Sequence, residues 1–469
     1  MLTKSDFLIY LDAPLHLWAA KHDRIEKAAS PFSEHLMRQG FEVEQLARKY
    51  FEEIIQDADI QLLWQQTFSE QDYLIRSDAL LHNKSDGVYD LYEVKSGTAL
   101  KPEYIYDAAF QTLILRKTIT LQRIFLLHLN PGYIRIGSLD LAQLFVSEDI
   151  TDRVNEIRGE VELLRENALR TASSDSPDLS GQCWSPRECP CPQLCHPNLP
   201  DFSIYDIPGL NRKKKMELLE TGIIKAKDIP ETFPLNARQR LIVKLAKTGQ
   251  ESIDRQAIRR EMEKFIYPIY FLDYETCISA IPLYTGCHPQ QQMVFQYSLF
   301  RMDIPDGEIA HSEYLSVSLE EISKSLLEHL TRVVGDTGTV FVWNKTFEIT
   351  RNRELAAQYP QYAMLLNHLN ERIYDLGDFV SRGLYLHPGF KGSWSLKNVL
   401  PVMVPGLKYE DMEIGNGEEA MLAWWNLAHG QMPEAQVEPV KQALLRYCEL
   451  DTLAMVYIWK KLYYFGTGG

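Results

Sequence analysis

The sequence predicts an α/β chain of more than one domain, and three observations carry that expectation. The chain has 469 residues, 45% of them hydrophobic, which is too many for one ordinary core, so two or three domains are expected. Short apolar and aromatic runs at Leu74–Leu81, Tyr89–Gly97 and Ile266–Leu272 read as strands beside stretches of helical pattern. From 203 to 262 the pattern turns helical, which marks a connector between two α/β parts. The expected division is 1–200, 201–262 and 263–469.

Composition narrows the function classes. The formal net charge of -15 repels nucleic acid at long range, so a nucleic-acid protein of this balance must work through local basic patches and metals. No apolar run approaches the length needed to span a bilayer, and the stretch Asp6–Leu17 is interrupted by Asp12 and Pro14, unlike a signal peptide. The expectation is a cytoplasmic protein with no membrane partner.

In the N-terminal part, Asp78 lies in one expected strand and, after a polar turn at Asn83–Gly87, Glu93 and Lys95 lie in the next. Pairing the two strands brings Asp78 beside Glu93 and Lys95, and alternation turns both toward one face while Val94 turns to the core. Asp and Glu can hold Mg²⁺, and Lys can position water or steady charge on a phosphate. The alternative is a solvated hairpin of alternating charge. A helix follows, Asp107–Leu115, with Gln111 on it, and an earlier helical run offers Glu42 or Glu44, of which Glu44 is preferred.

Four of the seven cysteines, Cys183, Cys189, Cys191 and Cys195, fall close together among Pro186, Pro190 and Pro192, with His196 next. Such crowding suggests metal before disulfide in a cytosolic protein. The polar stretch 171–182 before them reads as an exposed loop. Cys277, Cys287 and Cys448 have no partner pattern and read as buried packing residues.

In the helical connector, Ile207-Pro-Gly-Leu and the basic run Arg212–Lys215 resemble a helix-hairpin-helix unit, with Asn211 where a second glycine is usual; a plain helical spacer is the preferred reading. The run is the most concentrated positive patch of the chain and the expected place for phosphate contacts.

The C-terminal part carries acids at three separated points. Asp273 and Glu275 follow the apolar run Ile266–Leu272 and share one face of a strand or its end. Glu348 follows Asn344 and Phe347, and Tyr447 and Asp451 are one helical turn apart. Gln296–Phe300 reads as a second strand and Gly338–Trp343 as a third, with flanking helices. Asp375 and Asp378 read as structural, Asp375 being a reserve ligand. Ser395 and Lys397 lie on a helical run, and the aromatics Tyr385, Phe390 and Trp394 near it are left as core residues. Two divalent metals about 4 Å apart on such acids can generate an attacking hydroxide and stabilise a leaving oxygen.

These motifs resemble two nuclease families. Asp273, Glu275, Glu348, Tyr447 and Asp451, in that order, resemble the DEDD exonucleases of the Tyr subtype. The resemblance implies a ribonuclease-H-like fold, with Asp273, Glu275 and Asp451 as ligands of Mg²⁺ or Mn²⁺ and Tyr447 orienting the attacking water. Glu348 stands where that pattern has Asp. Asp78, Glu93, Lys95 and Gln111 resemble the RecB-type PD-(D/E)xK nucleases, which implies a restriction-endonuclease-like fold with Glu44, Asp78 and Glu93 at the metal.

In the iron-sulfur members of that type one cysteine precedes the core, where this chain has Leu11-Asp12-Ala13-Pro14. Resemblance then implies a [4Fe-4S] cluster on Cys183, Cys189, Cys191 and Cys195, Cys183 supplying the missing thiolate, with zinc as the alternative and unliganded thiols as the third possibility. The whole chain is similar to a bacterial family that joins the two modules. What it implies is a two-module deoxyribonuclease acting on DNA with single-stranded ends, in repair or defence against foreign DNA. The rival class is a nucleic-acid binding or scaffold protein whose sites have decayed.

Overall fold

The computed structural model describes residues 1–25, 30–178, 183–407 and 412–468; the end of the expected loop 171–182 therefore lies outside the described residues. The chain is α/β and forms two compact units, 1–198 with 279–291, and 199–278 with 292–469.

The first unit is built on a five-stranded sheet in the order Ile60–Trp64, Ala79–Asn83, Val88–Lys95, Thr120–Leu129, Phe145–Asp149. Ala79–Asn83 and Val88–Lys95 pair antiparallel across the turn at Gly87, whose φ of 70° suits glycine. Val88–Lys95 and Thr120–Leu129 are parallel, and the helix Pro102–Leu115 makes the crossover. The strands feed two cores. Leu80, Leu91, Ile124 and Leu126 pack with the helix Pro102–Leu115 through Phe110, Leu113 and Ile114. Ala79, Val94 and Leu127, one residue out of phase, pack with the helix Pro31–Ile54 through Val43, Ala47 and Phe51. That split is the period of two made visible. A small sheet of Leu2–Thr3, Tyr73–Arg76 and Thr67–Glu70 lies within the same unit and positions the helix Lys4–Asp12, whose N-cap Thr3 closes a capping box with Asp6.

The second unit has a five-stranded sheet in the order Ile309–Leu315, Gln291–Met302, Ile269–Ser279, Thr339–Val342, Ile373–Asp375. Ile269–Ser279 is parallel to Thr339–Val342, and that strand is parallel to Ile373–Asp375. Here the expected strands need correction. The first begins at Ile269 rather than Ile266 and runs on to Ser279, because Pro268 has no N–H for the ladder while the alternation of buried residues continues past Leu272. The segment Gly338–Trp343 does contain a strand, but an unforeseen one, Ile309–Leu315, comes between and pairs antiparallel with Gln291–Met302. Its polar residues His311, Ser312 and Glu313 masked the strand pattern.

Ile269 and Phe271 point to a core shared with Ile258, Leu400, Met455, Ile458 and Trp459. Tyr270, Leu272 and Tyr274 point the other way, to Leu326, Leu355, Leu366 and Leu369. Asp273 and Glu275 therefore continue the face covered by the C-terminal helix Glu434–Thr467. That helix is tied to the sheet where Gln296 Nε2 donates to the Leu444 carbonyl at 2.8 Å and Ser298 meets Thr452.

The stretch after Leu199 is helical as expected and has a small core of its own, Ile204, Ile207, Leu210, Leu218, Ile229 and Val243. Asn211, in the place of the second hairpin glycine, caps the helix Arg212–Glu220 by accepting from Lys214 N–H. Of the basic run, Lys214 reaches the Pro234 carbonyl and Lys215 lies over the Tyr205 ring at 5.4 Å, so these two cations are engaged within the fold.

Candidate functional site

The C-terminal acids converge. Asp273 and Glu275 reach one side of the sheet by alternation, and Asp451, whose charge acts on both, reaches it from the C-terminal helix, with buried Tyr447 one turn before it. Glu348 comes from the first turn of the helix Lys345–Gln358, whose start is fixed by Asn344 at φ 83° and by Asp375. Asp375 accepts from Lys345 N–H at 2.9 Å and from Gly377 N–H at 2.9 Å, the structural role expected of it. Asp273 and Asp451 are half-buried, Glu275 and Tyr447 are buried, and Glu348 is 1% exposed.

Burial and mutual repulsion dominate the electrostatics. Burial, and next the Asp451 charge, hold the Asp273 carboxyl well above its usual range. Glu275 is raised by burial and by Asp273 and Asp451, with Lys397 opposing. Glu348 is pushed up to about 9 by burial and then by Asp273, and its Oε2 is buried with no hydrogen-bond partner among the described residues. Burial and like charge here outweigh Lys397 and Arg351, so the carboxylates do not ionise together. Asp273, Glu275 and the Cys448 thiol bring donor atoms within 4.8 Å of one another, a set able to hold a metal ion. Cys448, expected to be a packing residue, is fully buried but stands against Asp273, its Sγ 3.9 Å from Oδ2. Its position three residues before Asp451 on one helix was the available signal.

Tyr385 and Phe390 are core residues as expected, each 1% exposed. Trp394 is instead exposed, with the Arg238 guanidinium 4.6 Å over its ring. Lys397 donates to the Gly415 carbonyl at 3.0 Å.

The N-terminal residues also meet, with a different charge balance. Asp78 precedes the strand Ala79–Asn83, and its Oδ2 accepts from Val94 N–H at 2.9 Å across the pair. Glu93 is fully buried. Its Oε1 accepts from both Lys95 Nζ and Lys4 Nζ at 2.7 Å, and its Oε2 from Gln111 Nε2 at 2.6 Å. Lys95 also pairs with Asp107 at 2.6 Å, and Gln111 donates to Asp107 at 3.1 Å.

Burial alone would raise the Glu93 carboxyl, but the ammonium groups of Lys4 and Lys95 outweigh it and hold the group well below the usual range. Asp78 is pushed up to about 8 by burial and then by Glu93, and Asp107 to about 6 by the same two causes. Asp78, Lys4 and Glu44 line a cavity of about 470 Å³ with Thr3, Thr67 and Arg76. Glu44 Oε2 accepts from Gln65 Nε2 at 3.0 Å. Glu42 is exposed. Lys4 and Asp107 had not been singled out. Asp107 is one helical turn before Gln111, a legible spacing, whereas nothing local ties Lys4 to residues some ninety positions away.

The four cysteines form one cluster with two histidines. His16, Cys189, Cys191 and Cys195 bring one donor atom each within 4.8 Å of one another, and Cys183, Cys189 and His196 form an overlapping set. Cys183, Cys189 and Cys191 pack with Ala13 and Ala19, so the segment after the sheet closes onto the N-terminal helices. This cluster could bind a metal. His16 was missed, although it stands four residues after Asp12, and its Nδ1 lies 2.6 Å from Asp12 Oδ2.

Among the described residues no helix is long and apolar enough to cross a membrane. No curated protein matches the chain. Residues 270–395, which hold Asp273, Glu275 and Glu348 but neither Tyr447 and Asp451 nor the N-terminal site, are similar to a family described as a domain of unknown function (DUF2779).

Proposed function

We propose that the protein is a metal-dependent deoxyribonuclease with two nuclease-like modules, a PD-(D/E)xK-type N-terminal one and a DEDD-type, ribonuclease-H-like C-terminal one that removes nucleotides from a 3′ end. The observation that carries the reading is the gathering of Asp273, Glu275, Glu348 and Asp451, each of the first three pushed toward its protonated form by burial and by its neighbours. Such a cluster fits Mg²⁺ or Mn²⁺, and the orphaned Glu348 Oε2 fits a further ligand or a water on it. Divalent ions supply there an activated water and charge to stabilise the leaving oxygen. Asp273, Glu275 and Asp451 would hold them, the longer Glu348 would reach in from the helix start, and the Tyr447 hydroxyl would orient the attacking water.

The substrate is DNA with single-stranded ends, in repair or defence against foreign DNA, and the cysteine cluster is a resident metal centre of iron-sulfur or zinc type. The test is degradation of 3′-labelled and 5′-labelled single-stranded DNA with Mg²⁺ or Mn²⁺, with RNA of the same sequence alongside. Loss of mononucleotide release in Asp451→Ala supports the reading; unchanged release in an Asp273→Ala, Asp78→Ala double variant sinks it.

One observation favours a second reading of the N-terminal module. Both oxygens of Glu93 are taken up by Lys4, Lys95 and Gln111, so that site is compensated by cations already. On this reading only the C-terminal half cuts, and the N-terminal module guides DNA. Comparing Lys95→Ala with Asp451→Ala on one substrate separates the two.

A further inference from the structure

The cysteine cluster offers more donors than one metal needs, and the spacing of its atoms sorts them. Cys189 Sγ lies 3.4 Å from His16 Nε2, and Cys191 Sγ lies 3.6 Å from Cys195 Sγ. Zinc bonds of about 2.3 Å to sulfur and about 2.0 Å to nitrogen, at tetrahedral angles, put two thiolates about 3.8 Å apart and a thiolate and an imidazole nitrogen about 3.5 Å apart. Both spacings are close to edges of that tetrahedron, and all four donors fall within 4.8 Å of one another. A [4Fe-4S] cluster carries each thiolate on a different iron, so its sulfurs enclose a larger body. Cys183 is outside this set of four and belongs to the overlapping one with Cys189 and His196, from where its thiol hydrogen-bonds to Cys195 and His16.

His16 is built as a ligand. It is 3% exposed, it sits on the short helix Pro14–Lys21, and its other ring nitrogen is held at 2.6 Å by Asp12 at the end of the preceding helix. A carboxylate on Nδ1 fixes the tautomer with the proton there and leaves the Nε2 lone pair for a metal, the arrangement common behind metal-bound histidines. The turn that carries Asp12 also places Ala13, fully buried, against Cys183, Cys189 and Cys191. A methyl group thus stands where a thiolate on this turn would have faced the cluster, and the imidazole three residues on reaches it instead.

We infer that the cluster is a single-ion, zinc-type site ligated by His16 Nε2, Cys189, Cys191 and Cys195, with Asp12 as positioning residue. The inference rests on the reading that the cluster holds a metal. The ion joins the N-terminal helices to the cysteine segment that ends in the short helix Pro192–Cys195, and so closes the first unit.

The test is metal analysis with zinc-edge X-ray absorption on the full chain. One zinc per chain with a shell of three sulfurs and one nitrogen is expected. His16→Ala and Asp12→Asn should each weaken zinc at least tenfold in competition with a chromophoric chelator. His16→Cys should retain zinc with four sulfurs, and Cys183→Ser should retain it with the wild-type shell. A four-sulfur shell in the wild type, or loss of zinc from Cys183→Ser, overturns the role of His16 and leaves the metal reading standing. Iron with acid-labile sulfide overturns the single-ion site alone. Neither metal found, and none taken up on addition, overturns both. The wild-type spectrum decides even if a variant fails to fold.

Discussion

Glu348→Gln, measured without added divalent cation, tests the electrostatics of the C-terminal acids directly. The Glu348 carboxyl is raised from 4.5 to about 9 by burial and by Asp273. A group whose folded pKa is raised keeps its proton in the folded state and gives it up on unfolding. Its contribution is therefore fully present below pH 4.5 and is lost as pH climbs toward 9. Within that window the loss is about 1.4 kcal/mol per pH unit, so from pH 6 to pH 8 this one residue accounts for about 3 kcal/mol. The side chain is 1% exposed, so solvent screening does not dilute the figure. Glutamine keeps the shape and cannot ionise, and the variant should lose that part of the slope. The assay is hydrogen exchange of the second unit's sheet in urea at pH 6, 7 and 8. Wild type and variant falling in parallel with pH, or a wild type more stable at pH 8 than at pH 6, would refute the argument. Adding Mn²⁺ should flatten the wild-type slope, because an ion on the carboxylates favours their ionised forms.

Three further outcomes are expected. Glu348→Asp, with a carboxylate one methylene shorter, should keep DNA degradation within about tenfold, while Glu348→Ala should lose about a hundredfold or more, read as initial rates of mononucleotide release. Lys4→Met should destabilise the first unit by about 2 kcal/mol in urea titration, less than the figure for breaking a fully buried pair because Lys95 still covers Glu93. Stripping metal from the cysteine cluster with a strong chelator should raise proteolytic cleavage in 183–198 and lower the first unit's melting temperature, with the second unit's transition unmoved.

The parts of these sites that were legible are those set by local periodicity. Alternation placed Asp273 with Glu275 and Glu93 with Lys95, and the helical turn placed Tyr447 with Asp451, because each pair is fixed by backbone geometry alone. Cluster membership decided by tertiary packing was not legible. Lys4 reaches Glu93 from 89 positions away, and His16 reaches Cys189 from 173 positions away, each carried by a short N-terminal helix. Cys448 was read as packing because a buried thiol beside Leu and Tyr usually is; only the fold brings it to Asp273. The strand Ile309–Leu315 failed for another reason: as the outer strand of its sheet it is half-buried and polar, so propensity and pattern gave little to read.

The two acid sites solve one physical problem in opposite ways. Buried carboxylates need positive charge, from the protein or from solution. At Glu93 the protein supplies it: Lys4 and Lys95 both sit at 2.7 Å, and the group stays ionised at any ordinary pH. At Asp273, Glu275 and Glu348 the nearby cations Lys397 and Arg351 are outweighed by burial and like charge, so the groups favour protons. The second site is thus the one with most to gain from a divalent ion, and its metal binding must compete with protons. The first must compete with its own lysines. Rising pH would release protons from the C-terminal acids and from Asp78 alike, whereas a contribution from Glu93 would require Lys4 or Lys95 to leave it first.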